Sequence, residues 1–453
     1  MNYLYRLVYA GAGGRFFDHP DLLAAGRTGD RFVEMTAAEM IPLPPGASLV
    51  LIPGGSPVGL RRRGGFTLLE RMPAAVPAAR EMPGKERRHR NVVPEAGRPG
   101  RLPGTGGEPV FAVGALLPQG YTRTLLPAYR RPAGEKPLPL FGYAAVAWRQ
   151  GRLWTAARRT DDPERWDPRH YNTPELSGLV ARRLQDDPDN RILARLARCA
   201  LEYSCFTAQN IFYRRWEGGV PVSPACNARC LGCISRQPAE CCPSPQGRID
   251  FKPDAAEVAA LLTTHLERAP GAIISFGQGC EGEPSLAADT IAAAVEMARR
   301  RTARGTLNMN SNAGDIAAME KIYAAGLDAL RVSLISARAD IYQAYHRPRG
   351  FTPDDVRRSI RAARRAGVFV SLNLLVMPGL TDRADELAAL EELIRETGVQ
   401  MVQLRNLNID PDFLWPQLPA PAGEILGVPE MIRRLKKTPG LLVGSFSREV
   451  HQT

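Results

Sequence analysis

Apolar and polar positions alternate regularly from about residue 218 onwards. Short apolar runs are followed by longer stretches in which apolar residues recur every three or four positions, as Val258, Leu261 and Leu262 do. The predicted strands are 220–222, 272–276, 306–310, 329–334, 368–375 and 399–404, and the predicted helices are 254–267, 285–301, 315–325, 353–366 and 382–397. Alternating strands and helices predict parallel strands. Because eight such units close a full barrel, six units predict a partial (β/α)6 parallel barrel.

The residues before this region have a different pattern. Strand-like runs at 48–53 and 141–148 are followed by helical patterns that begin near 173 and 190, which predicts a smaller α+β domain. The segment at about 76–108 is rich in Pro, Gly and Arg and predicts a long basic loop. The predicted domains are therefore an α+β domain over 1–210, the barrel over 211–420 and an extension over 421–453.

Composition narrows the class of protein. With 453 residues, 44% of them hydrophobic and 23% charged, the chain resembles soluble globular proteins and is long enough for two domains. No apolar run approaches 18 residues and the first residues do not resemble a signal peptide, so we expect no membrane span. The eight cysteines of such a chain favour metal ligands and free thiols over disulfides, which predicts a reducing cytoplasm.

The net charge of +12 is concentrated near the start of the chain. Residues 61–101 hold 11 basic and 4 acidic residues, a surplus that would suit nucleic acid or another anionic partner. Phe66 is the single aromatic residue there, so the segment lacks stacking platforms for single strands. We therefore favour a solvated, arginine-rich loop over a nucleic-acid-binding module.

Three cysteines directly after the first predicted strand are the most informative feature of the sequence. Cys226, Cys230 and Cys233 form a C-x3-C-x2-C loop, at the place where a parallel barrel carries functional groups. Thiolates favour an iron–sulfur cluster or zinc. A closed structural zinc site needs four ligands, whereas three thiolates leave one iron of a cluster open. A zinc site completed by Cys241 or Cys242 and a non-catalytic iron–sulfur electron carrier are the alternatives.

Polar residues also follow the other predicted strands. The second strand leads into a glycine-rich turn that carries Glu283, and the third ends in Asn310 and Asn312. Ser333 lies on the fourth strand and Asn373 on the fifth. Polar side chains on the inner face of a barrel need partners or a ligand.

These motifs together resemble the core of the radical S-adenosylmethionine (SAM) enzymes, over about residues 218–408. The cysteine trio follows a first strand, and Gly282-Glu283-Pro284 is similar to the end of the family's Gly-Gly-Glu-Pro motif. This chain departs from that motif at Glu281, where the family has glycine. The resemblance implies that Cys226, Cys230 and Cys233 bind three irons of a [4Fe–4S] cluster, whose fourth iron chelates the amino and carboxylate groups of SAM.

The resemblance also implies which residues contact SAM. Glu283 would hold the amine and Ser333 would touch the methionyl or ribose part. The full set of implied SAM-binding residues is Glu283, Pro284, Asn310, Asn312, Ser333 and Asn373.

The activity implied by the resemblance is the reductive cleavage of SAM to methionine and a 5′-deoxyadenosyl radical, which abstracts hydrogen from a substrate. The electron would come from a donor such as a flavodoxin or ferredoxin. The substrate is unidentified and could be a small molecule, a peptide or RNA; no catalytic side chain is predicted. RNA or protein modification is the alternative reaction class.

Five cysteines remain outside the trio, namely Cys199, Cys205, Cys241, Cys242 and Cys280. They could bind a second cluster, but free cysteines commonly pack as small buried apolar residues. We favour packing or redox roles for them.

Overall fold

The computed structural model of the chain describes residues 4–73, 107–138, 140–236 and 247–450. Contacts between residues divide it into two compact units. The first comprises Met1–Leu116, Leu125–Glu135 and Tyr143–Ala157, and the second comprises Leu117–Thr124, Lys136–Gly142 and Arg158–Thr453. The predicted basic loop at about 76–108 lies outside the described residues except for its last two positions.

The first unit is built from antiparallel strands. In the described residues before the first α-helix, the strands are β1 (Arg6–Gly11), β2 (Phe16–Thr28), β3 (Arg31–Glu34), β4 (Met40–Pro42), β5 (Ser48–Leu51), β6 (Ser56–Leu60), β7 (Phe66–Leu68), β8 (Val110–Leu116), β9 (Tyr121–Arg123), β10 (Leu126–Pro127), β11 (Tyr129–Arg130), β12 (Tyr143–Arg149) and β13 (Arg152–Arg159). All but β9 lie or begin in the first unit. β2 pairs with β1, β3, β6 and β10, and β8 pairs with β1, β5 and β12. Val8, Ala10, Val113 and Ala115 form part of the apolar core between these strands.

The second unit alternates helices with parallel strands. Its elements are α1 (Leu176–Asp186), α2 (Arg191–Leu201), α3 (Phe206–Tyr213), β14 (Glu217–Gly219), α4 (Ala255–Arg268), β15 (Ile273–Phe276), α5 (Ala288–Arg301), β16 (Thr306–Ser311), α6 (Ile316–Ala324), β17 (Ala329–Leu334), α7 (Ala339–His346), α8 (Pro353–Arg365), β18 (Phe369–Val376), α9 (Ala384–Thr397), β19 (Met401–Asn406), α10 (Pro411–Leu414), α11 (Val428–Leu435) and β20 (Leu442–Gly444). β14 to β20 pair in chain order, each parallel to its neighbours. The predicted partial parallel barrel is thus confirmed.

Local sequence signals fix where the barrel helices start and which face they bury. Asp254 and Glu257 form a reciprocal capping box at the start of α4, and Thr352 and Asp355 do the same for α8. Strand residues such as Leu330 join the buried apolar cluster that the helices complete. The alternate strand positions, which are polar, therefore face the inside of the barrel.

Two strands differ from the prediction. The first barrel strand is Glu217–Gly219 rather than 220–222, because Pro221 has no N–H group to continue the ladder. A seventh strand, Leu442–Gly444, pairs with β19 but is too short to be recognised from its pattern.

A buried polar network lies at the amino-terminal end of the barrel. The carboxylate of Glu217 accepts hydrogen bonds from Ser275 Oγ (2.8 Å), Arg331 Nη2 (3.1 Å) and Ser447 Oγ (2.8 Å). Val450 N donates to Thr306 Oγ1, so the segment 445–450 crosses this end from β20 to the start of β16. A ligand of the barrel would therefore approach from the carboxyl ends of the strands. Within the described ranges, no helix is both long and apolar enough to cross a bilayer.

Candidate functional site

The loop that carries the three cysteines follows β14 and is fixed by the end of α7. Arg229 N donates to His346 O (3.0 Å), Leu231 N donates to Tyr345 O (3.0 Å), and Arg349 N donates to Asn227 O (2.8 Å). These backbone bonds run along both edges of the loop. The segment after the fourth predicted strand thus acts as its support.

The three thiols lie within electrostatic reach of one another. Burial raises the pKa of Cys230, and the neighbouring thiols of Cys233 and Cys226 raise it further. Cys230 Sγ also lies 3.3 Å from His346 Nδ1. Among the described residues, no three His, Cys, Asp or Glu side chains converge on a single ion position. A cuboidal cluster presents a separate iron to each thiolate, so its ligands need not converge in that way.

Arg248 supplies positive charge beside this loop. Its Nε donates to Ser235 Oγ (2.7 Å) and its Nη2 lies 3.5 Å from Cys233 Sγ. Its Nη1 is buried and has no hydrogen-bond partner in the part of the chain that the structure describes. A guanidinium with an unused donor fits a site that gains negative charge when thiolates form.

Glu281 connects the turn after β15 to the start of the cysteine loop. One carboxylate oxygen accepts from Gly277 N (2.5 Å) and Gln278 N (3.0 Å), and the other accepts from Val222 N (2.8 Å) and Ser223 N (3.1 Å). Burial raises the pKa of Glu281 to about 7, against the effect of these four N–H donors. The departure from the family's glycine is therefore accommodated by a carboxylate that bridges two loops.

Gly282 allows these loops to approach each other. Gly282 N donates to Ser223 O (2.6 Å) and Glu283 N donates to Ala225 O (2.8 Å). A Cβ atom on Gly282 would lie 2.5 Å from the carbonyl carbon of Ala225. Only glycine fits this contact, which sets the Gly-Glu-Pro turn against the cysteine loop.

The side chain of Glu283 is buried at this junction. Its carboxylate accepts from Ser285 N (3.1 Å), Ser311 Oγ and Asn312 N (2.9 Å). Burial raises its pKa, and these hydrogen bonds oppose the rise. Pro284 is also buried and begins a short 3-10 helix.

The asparagines at the end of β16 lie beside the same turn. Asn310 Nδ2 donates to Gly277 O (3.1 Å), and Asn312 Nδ2 donates to Asn227 Oδ1 in the cysteine loop (2.6 Å). The structure thus brings Glu283, Asn310 and Asn312 together with the loop of the three cysteines.

Ser333 and Asn373 lie on the polar face of the strands. Ser333 pairs in register with Asn373, which pairs with Gln403. Within the described ranges, Asn373 Oδ1 and Gln403 Oε1 are buried and have no hydrogen-bond partner. Arg331, two residues before Ser333, instead joins the network with Glu217 at the opposite end.

The remaining cysteines lie outside the loop of the three thiols. Cys199 and Cys280 are buried, and a hydrogen bond from Cys280 lowers the pKa of Cys199. Cys205 is half-buried. Cys241 and Cys242 lie outside the described residues.

The donor set fits the cofactors that the sequence resemblance implies. Three neighbouring thiols suit the irons of a cluster. The unpaired atoms of Asn373, Gln403 and Arg248 suit a polar ligand inside the barrel. His346 and Arg248 were missed by the sequence analysis, because each is close to the cysteines only through the fold. For Glu281, the one signal in the sequence was its position in the motif, where the family has glycine.

A family model matches the part of the chain that carries this site. Residues 220–390 match the model of the radical SAM superfamily, whose members bind a [4Fe–4S] cluster and SAM. A comparison with curated proteins gave no match.

Similar solved structures share low sequence identity with the chain. A radical SAM methyltransferase from Sphaerobacter thermophilus is 17% identical, with a TM-score of 0.36, over 51% of this chain and 67% of that one. HydG, a maturase of the [FeFe]-hydrogenase, is 16% identical (TM-score 0.33) over 54% of this chain and 57% of its own. The methyltransferase TsrM from Kitasatospora setae, with cobalamin and a [4Fe–4S] cluster bound, is 18% identical (TM-score 0.33) over 43% and 37%. The matched region thus spans between about a third and two thirds of these proteins.

The family match includes the cysteine loop, the Gly-Glu-Pro turn and the strands β15 to β18. Residues 220–390 of this chain therefore belong to the radical SAM superfamily.

Proposed function

We propose that this protein is a radical SAM enzyme in which Cys226, Cys230 and Cys233 hold a [4Fe–4S] cluster. One observation carries the proposal: the loop of these cysteines is hydrogen-bonded through Ser223 and Ala225 to the Gly-Glu-Pro turn. Both lie at the carboxyl end of a parallel barrel, where such folds carry their chemistry. When bound, the cluster and SAM supply a reductive cleavage that yields methionine and a 5′-deoxyadenosyl radical.

Each residue around the turn has a distinct part in this proposal. The Glu283 carboxylate has about four acceptor positions, and described residues donate hydrogen bonds to three of them. The remaining position is assigned to the amine of SAM, next to Pro284. Asn312 holds the cysteine loop through Asn227 and so fixes the distance between the amine site and the thiols.

The polar inner face is assigned to the rest of SAM and to the substrate. Ser333 and Asn373 are adjacent across two strands, and no described residue forms a hydrogen bond with Asn373 Oδ1. Asn310 lies at the neighbouring strand end and is assigned to the sugar or carboxylate. The polar network at the other end of the barrel excludes water from that side, which protects a reactive radical.

The proposal requires an external reductant, such as a flavodoxin or ferredoxin, and places the protein in the cytoplasm. The chemical class of the substrate is left open. RNA and protein modification are both compatible with a partial barrel, since a barrel that does not close has room for a large substrate.

The test is anaerobic reconstitution with iron and sulfide, followed by dithionite and SAM. We expect 5′-deoxyadenosine to form with the natural sequence and not with Cys230→Ala. Cys205→Ala is the matched control, because it removes a thiol that the proposal does not use. Equal product from the Cys230→Ala variant, or none from cluster-loaded natural protein, would refute the assignment.

A further inference from the structure

A second concave site lies away from the cysteine loop. α1, α3 and α4 enclose a cleft of about 510 Å³, within the size range of small-molecule sites. Its lining includes His265, near the end of α4, whose partner Trp216 precedes β14. The cleft is therefore near the amino-terminal end of the first strand, opposite to the end that carries the cysteines.

The cleft has an excess of positive charge. Arg182, Arg183 and Arg214 line it, and Asp186 is the one carboxylate among its described lining residues. Arg183 is half-buried and donates to Thr264 Oγ1 (3.4 Å). Burial lowers the pKa of Arg183, and the positive charges of Arg268 and Arg214 lower it further. The carboxylates of Asp187 and Asp186 act in the opposite direction and raise this pKa. A half-buried guanidinium among other arginines is stabilised by an anion.

His265, which also lines the cleft, is a buried and uncharged group. His265 is 2% exposed and its Nε2 donates to Trp216 O (2.9 Å), so its Nδ1 must be an acceptor. That Nδ1 is buried and has no hydrogen-bond partner among the described residues. Burial lowers the pKa of His265 to about 4, which keeps the ring neutral. The positive charge of the cleft therefore comes from its arginines.

The other walls of the cleft are apolar. Leu179, Phe212 and Leu261 contribute to them. The site thus combines a cationic rim with an apolar wall, as small-molecule sites commonly do.

We propose that this cleft binds a small organic anion, with its phosphate or carboxylate group on Arg183 and Arg214 and its apolar body against Leu179, Phe212 and Leu261. The proposal does not depend on radical chemistry, since none of these residues belongs to the site of the cysteines.

The experiment is isothermal titration calorimetry of the full-length protein with three probes of the same apolar body: 1-naphthyl phosphate, 1-naphthoate and the uncharged 1-naphthalenemethanol. We expect at least one anion to bind and the alcohol to bind at least tenfold more weakly. The tighter of the two anions identifies the preferred head group. Binding of the better anion should weaken at least tenfold in Arg183→Gln and in Arg214→Gln.

Arg300→Gln is the matched control, because Arg300 is exposed on α5 and its replacement removes the same charge outside the cleft. Arg214 is also exposed, so Arg214→Gln tests the site even if Arg183→Gln unfolds the chain. Anions that bind no better than the alcohol would overturn the proposal. Equal weakening in Arg300→Gln would overturn it as well, since it would show a nonspecific charge effect.

Discussion

Replacing Gly282 by Ala tests how the two halves of the site are held together. The added Cβ would lie 2.5 Å from the carbonyl carbon of Ala225, which is inside any normal contact distance. The turn and the cysteine loop must then separate. Two backbone hydrogen bonds join them at this point, from Gly282 N to Ser223 O and from Glu283 N to Ala225 O.

The magnitude follows from those two bonds. Leaving a buried hydrogen-bonding group unpaired costs about 1–3 kcal/mol, so two broken bonds predict a loss of about 2–6 kcal/mol in the free energy of unfolding. The same separation moves Cys226 relative to Glu283. We therefore expect a lower iron and sulfide content after reconstitution and weaker SAM binding, in addition to lower stability.

The assay combines urea unfolding with iron and sulfide analysis and SAM titration of the reconstituted protein. Gly178→Ala is the control, because Gly178 lies within α1 and a Cβ there meets no atom within 4 Å. That substitution should stabilise the chain by about 0.5–1 kcal/mol through helix propensity. If Gly282→Ala matched the natural sequence in unfolding free energy, cluster content and SAM affinity, the argument from close approach would be wrong.

Three further substitutions test other parts of the structure. Glu281→Gly leaves four backbone N–H groups without their acceptor and should lower the unfolding free energy by at least about 4 kcal/mol in urea titrations; an unchanged value would show that water replaces the carboxylate. For His265, the folded pKa lies below the unfolded value, so the natural protein should lose up to about 3 kcal/mol as pH falls from 6.5 through 4. His265→Gln should lack this component when unfolding is measured at pH 7 and 4.5, and parallel pH profiles would contradict it. Arg331→Met removes the cation that is paired with the buried Glu217 carboxylate and should lower the free energy of unfolding by about 3–5 kcal/mol. The double variant with Glu217→Gln should recover part of this loss in thermal unfolding. Equal stability of the single and the double variant would refute the pairing.

The repeated barrel units were predictable because buried apolar residues recur with one period in their strands and with another in their helices. Residues such as Leu330 alternate with polar positions, and α4 carries its own capping box. β14 was misplaced because the apolar Val220 and Val222 flank a proline, whereas the true strand contains Glu217 and two glycines. A strand whose inward side chain is a buried carboxylate has no hydrophobic signature.

The candidate site was predictable where its chemistry is concentrated in one motif. The cysteine spacing and the Gly-Glu-Pro turn are local signals. The contacts of His346 with Cys230 and of Arg248 with Cys233 are not, because 116 and 15 residues separate the partners. The role of Arg331 could not be deduced either, since its distance from the site depends on how deep it lies in the barrel.

The most direct test of the account is electron paramagnetic resonance of the anaerobically reconstituted, reduced protein, with and without SAM, together with its iron, sulfide and zinc content. We predict four irons and four sulfides per chain, a reduced-cluster signal whose g-values shift when SAM is added, and loss of that signal in Cys226→Ala, Cys230→Ala and Cys233→Ala. Bound zinc without sulfide, or a cluster signal that SAM leaves unchanged, would contradict an iron open to the cofactor.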